Sequence, residues 1–334
     1  MKLPSEYRRE QVLGASRLYF LERKTTSQVA QELNCSRWTV RRLLQEAYDE
    51  GYVSIEIVDP YVRVSSLEEE ITNRFSLSRT IVVRNRLNLE DTVTAVANES
   101  AKYLAELKPM PQLVGVSWGR TLAKVAKALE SGWAVDPMIV QLNGGVAALS
   151  SAQSVQETIL SFAQKADGKA KGLPCPAIVS KVSLAQDLRE DPGVASVLDI
   201  GRQVDVAIFS LGALRFDSVL VESGCITRQD VSYLRANGGV GDILGRFING
   251  AGDIVSPELE SRTIGVDLKT LKGIKNSIGV AVGENKASIT RAALKGGFMT
   301  TLITDEKTAL PRELSPHLHE HHSENRTRQQ PLKT

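Results

Sequence analysis

The chain has 334 residues, 42% apolar and 24% charged, with a net charge of +2. That composition excludes a disordered or fibrous chain, and no apolar run approaches the ~20 residues of a membrane helix. The length points to two domains rather than one.

Glu6 to Leu21 carries Val12, Ala15, Leu18 and Tyr19 at helical spacing. A second helix follows, with Ser27 as its N-cap and Val29, Ala30 and Leu33 as its buried face. Asn34-Cys35-Ser36 makes a turn, and Ser36 caps a third helix whose Val40, Leu43, Leu44 and Ala47 point inward. Gly51 ends it as a left-handed cap, and Tyr52 to Val58 alternates like a strand or wing. Helix, turn, helix and wing over residues 1–58 is the layout of a winged-helix-like helix-turn-helix reader of the DNA major groove.

The third helix turns Arg37, Trp38, Thr39, Arg41 and Arg42 outward. Arginine near the start of such a helix pairs with guanine O6 and N7. Ser27, Gln28 and Ser36 sit at helix N-termini, where hydroxyls and backbone N–H groups hold phosphates. Net charge does not enforce this reading. Within residues 1–60 the nine basic residues, Lys2, Arg8, Arg9, Arg17, Arg23, Lys24, Arg37, Arg41 and Arg42, face nine acidic ones. Any affinity for DNA must come from one face. The bland alternative is a three-helix interaction module whose arginines are merely solvated. Trp38 itself reads equally as a base or methyl contact and as core packing.

Asp59-Pro60 marks a boundary, and residues 59–78 read as a connector. Ser65, Ser66, Glu68 and Glu69 resemble a capping box opening a helix to Phe75. From 79 to 310 short β-rich runs alternate with helical stretches. Strands are expected at Thr80–Val83, Leu113–Val116, Met138–Leu142, Val204–Leu211, Ile278–Val282 and Thr300–Ile303. Helices are expected at Glu90–Leu107, Arg120–Leu129, Ser154–Ala166 and Lys286–Lys295. That alternation implies a doubly wound, parallel α/β sheet, with ligands outside the carboxyl ends of the strands.

Gly115-Val-Ser-Trp-Gly-Arg-Thr121 follows a strand and opens a helix. Such a turn presents N–H groups at a helix N-terminus, a natural phosphate cradle. Ser117, Trp118 and Gly119 form the turn, Arg120 adds charge and Thr121 a hydroxyl. The alternative is a tight strand-to-helix turn without a ligand. Asn143, Gly144, Gly145 and Gly212 follow other strands and belong at the same sheet edge. Asp242, between Gly241 and Ile243, suits sugar hydroxyls or simply fixes a local turn. Lys286 begins a helix, placed either to meet an anion or to lie in solvent, and Arg246 is a weaker candidate of the same kind.

Residues 311–334 are polar and aperiodic, as expected of a disordered tail. The histidines His317, His319, His321 and His322 lie there, where incidental metal affinity needs no functional site. The cysteines Cys35, Cys175 and Cys225 have no CxxC spacing, which fits a reducing cytoplasm and argues against a disulfide or zinc framework. The N-terminal MKLPSEYRREQ lacks the apolar core of a signal peptide. The expectation is a soluble cytoplasmic protein, with no cofactor and no membrane partner.

Several segments, in order, resemble the SorC-type sugar-responsive transcriptional regulators. They are residues 18–55, GVSWGRTLAKVAKAL (115–129), QLNGG (141–145), LPCPAIVS (173–180), VDVAIFSLGAL (204–214), GGVGDILGRFINGAGDIV (238–255) and residues 262–306. The resemblance implies an effector domain similar to the phosphosugar isomerase and glucosamine-6-phosphate deaminase fold. It implies a phosphorylated sugar or related polyol as ligand, a palindromic operator as DNA partner and a homotetramer. The implied role is regulation, as a repressor, of a carbohydrate-use operon. Trp38 departs from the resemblance, since such regulators commonly carry a small residue or Pro there, and this puts the operator sequence in doubt. Because the effector fold is shared with enzymes, a sugar-phosphate isomerase or deaminase with a DNA-binding appendage is the alternative. Against it, no histidine falls outside the tail to serve as acid or base, which leaves a carboxylate such as Asp242 or Asp205, or a lysine Schiff base, for that role.

Overall fold

The structure, a computed structural model, describes residues 6–53, 62–146 and 155–309. Most of the expected wing, the tail and its histidines lie outside these residues. Contacts divide the chain into Met1–Pro60 and Tyr61–Thr334.

The first unit consists of α1 (Glu6–Ser16), which continues as one π-helical turn (Arg17–Leu21), α2 (Thr26–Glu32) and α3 (Arg37–Asp49). Val12, Ala15, Val29, Ala30, Val40, Leu43, Leu44 and Ala47 interlock as its core, following the apolar spacing of the three helices. Asn34 adopts φ 48° in the turn, and Gly51 at φ 73° follows the end of α3. Ser36 caps α3 by accepting from Thr39 N at 3.0 Å. One cap is corrected. Thr25, not Ser27, caps α2, in a reciprocal box with Gln28: Gln28 N donates to Thr25 Oγ1 and Thr25 N donates to Gln28 Oε1. The pattern S/T-x-x-Q was present in the sequence two residues earlier than the serine chosen.

In the second unit, nine strands form one sheet among the described residues. They are β1 (Arg79–Val83), β2 (Leu113–Val116), β3 (Met138–Gln141), β4 (Lys169–Lys171), β5 (Val206–Ala213), β6 (Gly239–Ile243), β7 (Arg246–Asn249), β8 (Asn276–Ala281) and β9 (Thr301–Asp305). The order β1-β9-β8-β5-β2-β3-β4 is parallel throughout, and the β6–β7 hairpin joins the end of β5 antiparallel. From β2 the chain winds through β3 to β4; from β5 it winds the other way through β8 to β9. The crevice between the carboxyl ends of β2 and β5 is therefore the topological switch point.

Side chains alternate across the strands. Ile81, Val83, Val114, Val116, Ile139, Val206, Ile208, Ile278 and Val280 pack with α5 (Leu89–Glu106), α6 (Arg120–Ala128) and α7 (Val155–Gln164) on one face. Val82, Ala207, Phe209 and Ala281 meet helices Ser65–Phe75, Leu268–Gly273 and Ala287–Lys295 on the other. Val140 packs there against helices Val182–Glu190 and Pro192–Gly201. Burial on both faces explains the near-continuous apolar strands.

Helix Ser65–Phe75 buries Leu67 and Ile71 beneath Val82, so it belongs to the second unit's core. No capping box opens it. Glu68 instead forms two bonds with Arg63, at 2.7 and 2.6 Å, and accepts from Val82 N at 2.9 Å. A carboxylate with a guanidinium partner and a strand N–H to satisfy is held there more strongly than by its own helix terminus.

Candidate functional site

A cleft of about 800 Å³ opens at the switch point. Its floor is built by the turn from β2 into α6. Ser117 N donates to Ile208 O at 3.0 Å, prolonging the strand pairing with β5 by one residue. Gly119 then takes φ 147°, and a Cβ there would lie 2.9 Å from Ser210 Oγ. Both facts favour glycine. α6 starts with no side-chain cap, so the first N–H groups of its opening turn remain free to bind an anion. Trp118 donates from Nε1 to Gly144 O at 2.8 Å and ties this turn to the loop after β3.

The opposite wall is the β5–β6 pair. Gly212 lies opposite Asp242 in the antiparallel register. A Cβ on Gly212 would stand 1.9 Å from Asp242 Oδ1, so only glycine lets this carboxylate lie against the strand. Gly245 N donates to Asp242 Oδ2 at 3.0 Å from the tight β6–β7 turn, where Leu244 has φ 55° and Gly245 φ 82°. Leu244 is a non-glycine residue held in the left-handed region on the cleft wall. Lys286 comes from the third side. Asp305, at the end of β9, accepts Gly283 N at 2.8 Å and pins the loop that delivers it. The Lys286 ammonium has no hydrogen-bond partner among the described residues.

Charges here are displaced in the directions that burial dictates. Burial pushes the Asp242 carboxyl up to about 6, against the Gly245 N–H bond and the positive charge of Lys286. Burial lowers Lys286 to about 8, with Asp242 opposing and Arg120 assisting. At the rim, a two-point bond from Arg215 holds Asp217 down to about 2. Asn143 is buried, and its Oδ1 has no hydrogen-bond partner among the described residues. An amide oxygen left so is costly unless something in the cleft donates to it.

Ser117, Trp118, Gly119, Arg120, Thr121, Asn143, Gly212, Asp242 and Lys286 thus line one cleft. Three expected residues do not. Gly115 lies within β2, where a Cβ would strike Leu142 Cδ2 at 2.4 Å. At Gly144 a Cβ would meet Pro176 O at 2.3 Å; Gly145 lines a separate depression with Cys175 and Cys225. The first two are glycines for close packing, not for a ligand. Arg246 is likewise turned away. It is buried, bonds Glu260, and donates to Val266 O and Gly265 O at 3.2 and 2.9 Å.

In the first unit, Arg37, Trp38, Arg41 and Arg42 all stand exposed on α3, with Trp38 68% exposed. That removes core packing as an account of Trp38. The Ser36 hydroxyl meets Thr39 Oγ1 at 2.9 Å, and Gln28 Oε1 is engaged in the α2 cap. Ser27 is exposed without a capping role.

The sugar-binding domain family model matches residues 59–311. The deoxyribonucleoside regulator of Bacillus subtilis is 31% identical over 298 residues, covering 89% of this chain and 95% of that protein. The chain belongs to the SorC-type family of sugar-binding transcriptional regulators. The full-length sorbitol operon regulator SorC from Klebsiella pneumoniae shares the fold with a TM-score of 0.71, at 24% identity over 92% of this chain and 98% of that one. A DeoR family transcriptional regulator from Listeria monocytogenes is similar at TM-score 0.66 and 28% identity, over 73% and 97%. Like these SorC-type relatives, this chain is a transcriptional regulator, and its second unit carries the sugar-binding domain.

The SorC-type cleft also recruits residues that sequence reasoning passed over. Glu90, Lys124, Lys127, Ser210, Arg215, Asp217 and Asn285 line it. Lys124 and Lys127 follow Arg120 at helical spacing on α6, a signal that was legible. Glu90 bonds Lys124 from α5, a partner that only helix packing brings there. Arg215 and Asp217 lie in a loop without periodicity, and nothing local marks them.

Proposed function

We propose that α3 reads operator DNA and that the cleft binds a phosphorylated sugar that controls this binding. The first-turn N–H groups of α6, with Arg120 and Lys286, hold the phosphate. Asp242 and Asn143 Oδ1 accept bonds from sugar hydroxyls. The observation that carries the reading is the convergence, in one cleft, of a helix N-terminus without a side-chain cap, the Lys286 ammonium and a buried amide oxygen that has no hydrogen-bond partner among the described residues. Anion and hydroxyl donors together satisfy all three.

The reading extends to a tetramer in the cytoplasm that represses a carbohydrate-use operon. Effector control requires unequal affinity of the sugar for the operator-bound and free states. Binding without turnover is favoured over an isomerase or deaminase. Asp242, a half-buried carboxylate of the cleft, is engaged by Gly245 N–H and packed on Gly212, where a mobile base would need freedom.

A thermal-shift screen of the full chain against sugar phosphates, free sugars and polyols tests the cleft, since a specific ligand stabilises the folded state by mass action. Sugar phosphates are expected to raise Tm and to change operator affinity. Stabilisation by free sugars alone would remove the phosphate assignment. Conversion of the stabilising sugar phosphate by the same preparation would make the protein an enzyme.

A further inference from the structure

Trp38 lies in the first turn of α3 with its indole in solvent. The ring is nevertheless held in place. The Arg42 guanidinium stacks over it at 5.3 Å from the ring centroid. Arg42 in turn acts electrostatically on Glu46, whose carboxyl is held below the usual range first by its bond to Arg8 and then by the charges of Arg8 and Arg42. Arg8, from α1, grips Glu46 with bonds of 3.1 Å from Nε and 2.6 Å from Nη2. Residues 38, 42 and 46 are spaced four apart, so they form one row along the helix. The row starts at an ion pair between two helices and ends at a flat apolar surface. Arg37 and Arg41 stand exposed on the same turns.

Guanidinium groups at the start of a major-groove helix match guanine acceptors. A flat apolar surface beside them matches the C5-methyl group of thymine, the apolar feature of the major-groove edge. Insertion between stacked bases would instead require the minor-groove, kinked geometry that apolar wedges use, which a helix seated in the major groove does not have.

We infer that Trp38 reads a thymine C5-methyl group in the major groove of the bound DNA, with Arg42 as the positioning residue that fixes the indole. This rests on the reading of α3 as the DNA-reading helix. Trp38 then sets the operator sequence at one base pair in each half-site, and a protein with a small residue there prefers a different base.

Binding sites are first selected from a randomised duplex pool with the full-length protein. Each thymine of the selected site is then replaced singly by uracil, which removes only the methyl group. One thymine per half-site is expected to lose about fourfold in affinity on replacement, the value of one buried methyl. Trp38→Ala is expected to bind the thymine and uracil duplexes equally at that position, with its response at all other positions unchanged. Because the indole is exposed, the variant keeps its fold, which circular dichroism checks. The inference is overturned if no thymine responds to uracil in the wild type, or if Trp38→Ala keeps the response. A pool that yields no enriched, salt-sensitive sequence would overturn the DNA reading of α3 itself, a distinct failure.

Discussion

On α3, Arg37, Trp38, Arg41 and Arg42 stand in water, whereas in the cleft Ser117, Thr121 and Asn143 are buried and Asp242 and Lys286 are displaced from their ordinary ionisation. The helix presents groups from a single turn-and-a-half of sequence. The cleft gathers groups from four strand ends across nearly two hundred residues of chain. An exposed arginine is solvated before it binds, so it contributes through geometry and charge steering. A buried polar group already carries the cost of desolvation and awaits a partner, so it contributes through satisfaction of unmade bonds. The first unit is thus suited to reading a polyanion of variable sequence, and the second to a small ligand of fixed shape.

The comparison breaks most sharply at the cleft. Thr121→Ala combined with Lys286→Ala is expected to abolish both the thermal shift and the operator response to sugar phosphate, while operator affinity without ligand stays unchanged. Retained response would remove both residues from the site. Gly212→Ala should reach the same end sterically, by displacing the Asp242 carboxylate. At the reader, Arg37→Ala or Arg41→Ala should cost ~1–3 kcal/mol on the selected operator where that residue reads a guanine edge. Equal loss on all sequences would instead make it a phosphate contact.

A smaller effect is expected with pH. Lys286 titrates at about 8, so its ammonium is lost as pH rises through that value. Sugar-phosphate affinity should therefore fall above pH 8, by up to roughly tenfold per unit, because binding must then take up a proton. Lys286→Arg should flatten this limb, and isothermal titration in buffers of differing ionisation enthalpy would detect the proton uptake. Operator binding should show no such limb, since the α3 guanidiniums stay charged. The least effect is expected at Thr25. Thr25→Ala should lower the stability of the first unit by about 1 kcal/mol, the usual value of an N-cap, whereas Ser27→Ala should leave it nearly unchanged. Chemical denaturation followed by circular dichroism separates the two.

Local pattern determined a good deal. The spacing of Val40, Leu43, Leu44 and Ala47 fixed which face of α3 is buried, and hence which side chains are exposed. The strands Leu113–Val116 and Met138–Gln141 were legible because burial on both faces makes them apolar, with Gln141 the polar exception. The β2–α6 turn was legible because glycine between strand and helix has a specific backbone meaning. The β6–β7 hairpin was not read as strands. Its Gly239, Gly241 and Gly245 lower β propensity, and Gly241 is needed because a Cβ there would meet Gly212 O at 2.2 Å. β4, Lys169-Ala-Lys171, was hidden because an edge strand is marked by charge rather than by apolar alternation.

The sequence by itself therefore determined the helices of the first unit, those that follow β1, β2, β3 and β8, most central strands and the residue types suited to DNA and to an anion, because these follow from contacts a few residues apart. Only the tertiary structure decided which glycines face a ligand and which face a neighbouring backbone, that Arg246 serves Glu260 and two carbonyls, and that Asp242 and Lys286 share a cleft. Those outcomes depend on strand order and on what packs across the sheet, and the local spacing of residues does not encode them.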